Sequence, residues 1–193
     1  MNFLAHILLS GEDDLVKVGN FIGDYVKGKQ YTVYPPQVQK GILMHRNIDD
    51  FTDKSSLPKR IKPFFSYHYG KYAGIVIDLF YDHFLAVNWL KFSEQSLSMF
   101  VQEFYAILQR NKSLLPERVQ NFLPRMIAQN RLHSYLYFQG IEQALTIMSK
   151  HTSLPDHTQA ALDILSKNYQ AINQNFLEFF PELIDYIERL YPV

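Results

Sequence analysis

The chain of 193 residues contains no cysteine. That excludes a disulfide framework and any thiolate zinc site, and it fits a reducing compartment. A metal here would have to be held by His, Asp, Glu, Asn or water. An excess of charge of either sign is also missing, since Lys plus Arg and Asp plus Glu both number 19. Bulk electrostatics therefore give no reason to expect nucleic acid or a membrane surface, and charge-driven binding would need a local patch. Every long apolar stretch is interrupted by charge, so no transmembrane span is expected. The opening "MNFLAHILLSGEDD" lacks a basic leader and a small-residue cleavage site, so no signal peptide is read and the cytoplasm is the expected location. Alternating strand patterns, Asn-Gly hairpins, repeats, a GxxxxGK[ST] phosphate loop and a GxSxG elbow are all absent.

Apolar residues make up 47% of the chain and aromatics 15%, enough for one sizeable core, so residues 1–193 are read as a single domain. Helical periodicity dominates. Segments are expected at about 2–9, 13–28, 36–53, 57–68 and 71–91. A further helix is expected after Ser93 as N-cap, then others at about 116–130, 138–150 and 155–190, the last broken at Pro181. The fold class is all-α, with roughly eight to ten helices.

Four polar clusters in the first half do not fit a plain core. His6 lies in the apolar run "NFLAHILL", where a lone histidine is usually a satisfied core residue. In "VGNFIGDYVKG", Asn20 and Asp24 share a helix face, flanked by Gly19 and Gly23. Each helical glycine costs about 1 kcal/mol against alanine, so the pair suggests close backbone approach by another helix or by a ligand. In "HRNIDDFTD", His45, Asp49 and Asp53 follow one another at i, i+4 steps. They form either an ordinary wet face or an array that holds a metal or orients a base. Arg46 beside them offers an anion-binding fork. The fourth cluster is "DLFYDHFLAVNWL", a helix apolar on nearly every side that carries Asp78, Asp82 and His83. A buried carboxylate needs an ion pair, hydrogen bonds or a metal. Such oxygen and nitrogen donors suit Mn²⁺, Mg²⁺, Fe²⁺ or Zn²⁺ without choosing among them.

The blocks "MNFLAH", "GNFIGDYVKG", "PPQVQKGILMHRNIDDFTD" and "DLFYDHFL" resemble, in order and spacing, the acyl carrier protein phosphodiesterase family. The resemblance implies a fold related to the HD-domain phosphohydrolases, possibly with permuted element order. It also implies a divalent metal, typically Mn²⁺. The implied reaction removes 4′-phosphopantetheine from the serine of holo-acyl carrier protein. The resemblance carries over the polar set His6, Asn20, Asp24, His45, Arg46, Asp49, Asp53, Asp78, Asp82 and His83; within it we expect Asp24, His45, Asp82 and His83 as metal ligands, with Asn20, Asp53 and Asp78 supporting them from behind. Asp49 would orient His45 or activate water, Arg46 would neutralise a phosphate oxygen, and His6 would be a ligand or the acid for the leaving serine. The partner is an acidic protein, so "DKSSLPKRIK", with Lys54, Lys59, Arg60 and Lys62, is the expected docking patch. Two alternatives are a nucleotide-like phosphoester as substrate, and a helical interaction protein whose His/Asp set is structural.

Overall fold

Asp13 begins the scaffold of the site. Its side chain accepts from the backbone N–H groups of Leu15 and Val16 at 2.9 and 3.1 Å and so caps α2 (Asp14–Ile22). The computed structural model describes residues 2–192. Ahead of α2 lies α1 (Phe3–Leu8), and after it α3 (Pro36–Lys54) opens with proline in the first turn. Ser55 caps α4 (Ser56–Tyr69), which leads through a 3₁₀ turn into α5 (Ala73–Val87). The remainder is α6 (Leu97–Arg110), α7 (Glu117–Ala128), the single turn α8 (Arg131–Ser134), α9 (Phe138–His151), α10 (Thr158–Lys167) and α11 (Tyr169–Leu190). The described residues form no strand, and none of their helices is long and apolar enough to cross a membrane.

Three boundaries differ from expectation, each for a local reason. The helix expected over 13–28 stops at Ile22, and Gly23–Tyr25 tighten into a 3₁₀ turn that swings Asp24 out to solvent. Ser96, not Ser93, caps α6 by accepting from Met99 N–H at 3.3 Å. The C-terminal break falls at Asn168, while Pro181 lies inside α11. Pro181 is on the exposed face, and the buried row Phe176, Phe179, Phe180 and Leu183 holds that helix together across the missing backbone bond.

α5 is the axis of the core and packs against α1, α4, α9 and α11. Leu79, Phe80, Phe84 and Leu85 are fully buried, each contributing about 1.5–3 kcal/mol of apolar burial. Helices α2 and α3 lie in unusually close contact. A Cβ added to Gly19 would run into the Val38 carbonyl, and one added to Gly41 into that of Val16. Gly19 therefore serves helix packing, and that contact fixes the register between the two elements that carry most of the site.

Candidate metal centre

Asn20, at the buried inner end of α2, holds two histidines at once. Its Nδ2 donates to the His6 carbonyl at 2.8 Å and to Ser10 Oγ at 2.9 Å, so its Oδ1 is the acceptor facing His6 Nδ1 at 2.8 Å. Its backbone carbonyl accepts from His45 Nδ1 at 2.8 Å. Both imidazoles thus carry their proton on Nδ1 when neutral and present a bare Nε2 lone pair. The rings stack with centroids 4.1 Å apart, and both are buried. Gly23 makes room for this, because a Cβ there would occupy the space of the His45 ring.

The two Nε2 atoms converge on carboxylates. Asp49, one turn after His45 on α3, places Oδ1 at 3.2 Å from His6 Nε2 and Oδ2 at 3.1 Å from His45 Nε2. Asp24 Oδ1 lies 3.6 Å from His45 Nε2. The side chains of Asp24 and Asp49 are 62% and 42% exposed, so the site has a histidine floor and a carboxylate mouth open to solvent. Ligand atoms from His6, His45 and Asp49, one each, lie within 4.8 Å of one another, a spacing that could hold a metal ion.

The four side chains of the cluster shift one another's titration. The buried His45 Nε2 faces carboxylates, Asp49 at 3.1 Å and Asp24 at 3.6 Å. Burial drives this imidazole toward neutrality, but Asp24 and Asp49 outweigh it and hold its pKa up to about 9. His6, driven down by burial and then by the charge of His45, falls to about 4. The Asp49 carboxyl is pushed up by burial yet held well below the usual carboxylate range by His45 and His6. Asp24 is lowered chiefly by its contact with His45. While His45 is protonated, the proton on its Nε2 supplies the positive charge between the carboxylates; once that proton leaves, two imidazole nitrogens and two carboxylates face one another, a donor set that could hold a divalent ion.

Asp82 and His83 are not brought to this cluster, and the expectation that they are metal ligands is corrected. Asp82 is fully buried, and its two oxygens accept from the backbone N–H groups of Leu4 and Ala5 at 2.7 and 3.1 Å. It caps α1 from 77 residues away in sequence, satisfying donors that Asn2, at the N-cap, leaves unmet. Burial pushes its pKa up to about 7, with the two N–H groups working against the rise. His83 has both nitrogens engaged, with Nδ1 2.8 Å from the Tyr135 carbonyl and Nε2 3.1 Å from the Tyr169 hydroxyl. Burial lowers its pKa.

The remaining predicted residues are placed as follows. Arg46 spends one guanidinium nitrogen on the carbonyls of Val26 and Gly28 at 3.0 and 2.8 Å and stacks over Tyr31. Instead of presenting a free fork to a phosphate, it ties down the loop that follows Asp24. Asp78 sits close enough to Asp49 and Asp53 for their charges to add to the effect of burial, which raises its pKa. Asp53 is exposed and lies outside the cluster. Within the basic segment, Lys54 pairs with Asp50 at 2.7 Å, Lys59 donates to the Lys54 carbonyl at 2.8 Å and Arg60 pairs with Glu178 at 3.6 Å, while Lys62 is exposed. The roles of the Asn20 carbonyl and of Asp82 as a remote cap carry no sequence signal, because their partners lie 25 and 77–78 residues away.

Comparison with known proteins bears on this geometry. The family model for acyl carrier protein phosphodiesterase matches residues 1–183. A relative from Yersinia enterocolitica named acyl carrier protein phosphodiesterase is 31% identical over 185 residues, covering 95% of this chain and 96% of its own. Relatives of the same name from Yersinia pestis and Salmonella paratyphi A are 29% and 30% identical over the same shares. No solved structure gives a significant match.

Proposed function

Because the chain belongs to the acyl carrier protein phosphodiesterase family, we propose that it hydrolyses the phosphodiester of holo-acyl carrier protein. The products are apo-protein and 4′-phosphopantetheine, and the reaction takes place in the cytoplasm. One observation carries the site assignment: Nε2 of the buried His6 and Nε2 of the buried His45 converge on the Asp49 carboxylate at 3.2 and 3.1 Å, with Asp24 3.6 Å from His45 and the two rings stacked. His6, His45, Asp49 and Asp24 would hold a divalent ion, Mn²⁺ by family likeness, with Mg²⁺, Fe²⁺ or Zn²⁺ compatible with the same donors. When bound, such an ion supplies charge neutralisation on the phosphoryl oxygens and a more acidic water.

The protein's own groups do the positioning. Asn20 fixes both tautomers, so neither ring must turn before it can donate a lone pair. Asp49 bridges the two histidines, and Arg46 pins the 26–28 loop so that Asp24 stays at the mouth. Of the two roles open to His6, the ligand is assigned. A group at about 4, with its Nδ1 proton committed to Asn20, is a poor acid for the departing serine oxygen. A histidine–aspartate helix closing on a second histidine in an all-helical body also supports kinship with the HD-domain phosphohydrolases.

The test is intact-mass analysis of holo-acyl carrier protein incubated with the purified protein and Mn²⁺. Loss of the phosphopantetheine mass with the wild type, and none with His45→Ala, is the expected result. An unchanged substrate mass in the presence of Mn²⁺-loaded wild type would refute the assignment.

A further inference from the structure

The zero net charge conceals a polarised molecule. From residue 25 to residue 48 there is no acid, only Lys27, Lys29, Lys40 and Arg46. From 118 to 141 there is again no acid, against Arg118, Arg125 and Arg131. α11 is the counterweight, with Glu178, Glu182, Asp185 and Glu188 against Arg189 alone. The expected docking segment borders this acidic helix, and Glu178 partly neutralises it through Arg60.

The two acid-free stretches meet at the mouth of the metal centre. Tyr25 follows Asp24 directly, its ring 5.9 Å from Phe122 and beneath the Arg118 guanidinium at 5.7 Å. Arg118, Phe122 and Arg125 fall at i, i+4 and i+7 on α7, so one face of that helix carries positive charge away from Tyr25 over roughly 10 Å. Lys27, Lys29, Arg118 and Arg125 are exposed, and among the described residues none is ion-paired. Val33, which ends the 3₁₀ turn after Lys27 and Lys29, is 84% exposed and offers an apolar contact point.

We propose that Lys27, Lys29, Val33, Arg118 and Arg125 form the docking surface for the acidic carrier protein, in place of the 54–62 segment. This rests on the functional reading above. The scissile bond joins phosphate to a serine on the carrier's own surface, so the body of the carrier must rest against the mouth beside Asp24. Cations there would steer an acidic partner and fix its register.

The test compares Lys27→Glu/Lys29→Glu/Arg118→Gln with Lys59→Glu/Lys62→Glu. Glutamine at 118 avoids adding an anion beside Asp24. KM and kcat for holo-acyl carrier protein and binding of fluorescently labelled holo-protein are measured at low and high salt. The first variant should raise KM and Kd about tenfold or more at low ionic strength, with kcat within about twofold. The gap to wild type should shrink in ~0.5 M salt, and the second variant should behave as wild type. Unchanged binding in the first variant, a larger defect in the second, or a defect independent of salt would overturn the proposal. So would sedimentation showing the rim covered by a second copy's acidic α11. If wild type releases no phosphopantetheine, the proposed reaction fails, yet the labelled holo-protein still decides this surface: loss of binding in the first variant alone supports it, and absence of binding to wild type overturns it.

Discussion

Metal uptake at this centre should release a proton, and the amount follows from the geometry. Without an ion, Asp24 and Asp49 keep His45 protonated up to about pH 9. A metal must displace that proton from Nε2, since Nδ1 is committed to the Asn20 carbonyl. Asp49 and Asp24 are already ionised at neutral pH and add nothing to the count. The observed affinity for Mn²⁺ should therefore rise about tenfold per pH unit through neutral pH and level off near 9. At pH 7 it should lie on the order of 100-fold below the plateau. The free-Mn²⁺ resonance signal, titrated anaerobically with protein across this range, measures the slope. Calorimetry at pH 7 in two buffers of different ionisation enthalpy counts the proton. A flat profile, or a count near zero, would mean that the ion does not bind at His45 Nε2 and would refute the assignment of the centre.

Gly23→Ala should displace the His45 ring, weakening Mn²⁺ binding by an order of magnitude or more and costing about 1–3 kcal/mol in urea unfolding, whereas unaltered binding would show that the ring has room to shift. Asp82→Asn tests the α1 cap through pH. Asp82 titrates near 7 in the folded chain and near 3.8 when unfolded, so the native state binds its proton more tightly. Its contribution is fully present below the unfolded pKa and is lost as pH rises toward 7, a change on the order of 4 kcal/mol that the asparagine variant should lack. Parallel stability–pH curves for the two proteins would rule out that coupling.

Most of the fold was legible in apolar periodicity, because burying one stripe per helix is a local property of the chain. The C-terminal break was misplaced because Pro181 counts as a breaker only if packing cannot outweigh one missing bond, and the Phe176–Leu183 row outweighs it. At the site, His45 and Asp49 were visible as a helical pair. His6 was ambiguous, since its partners Asn20 and Asp49 come from other helices. The misreading of Asp82 is instructive. The energetic need for a partner in an apolar helix was real, but a row of unpaired backbone N–H groups meets it as well as a metal does, and no side-chain spacing reveals those donors. Local density of Lys and Arg, which points to the 54–62 segment, does not register the Glu178 that α11 brings alongside Arg60.

Asn20 has a consequence for how the centre can drift under mutation. His6 is oriented by the amide side chain at position 20, whereas His45 is oriented by the backbone of the same residue. Replacing the side chain would release one imidazole while leaving the other held, because a carbonyl persists whatever residue stands there. The two histidines therefore differ in heritability: the setting of His45 is a property of the helix path, and that of His6 is a property of one codon.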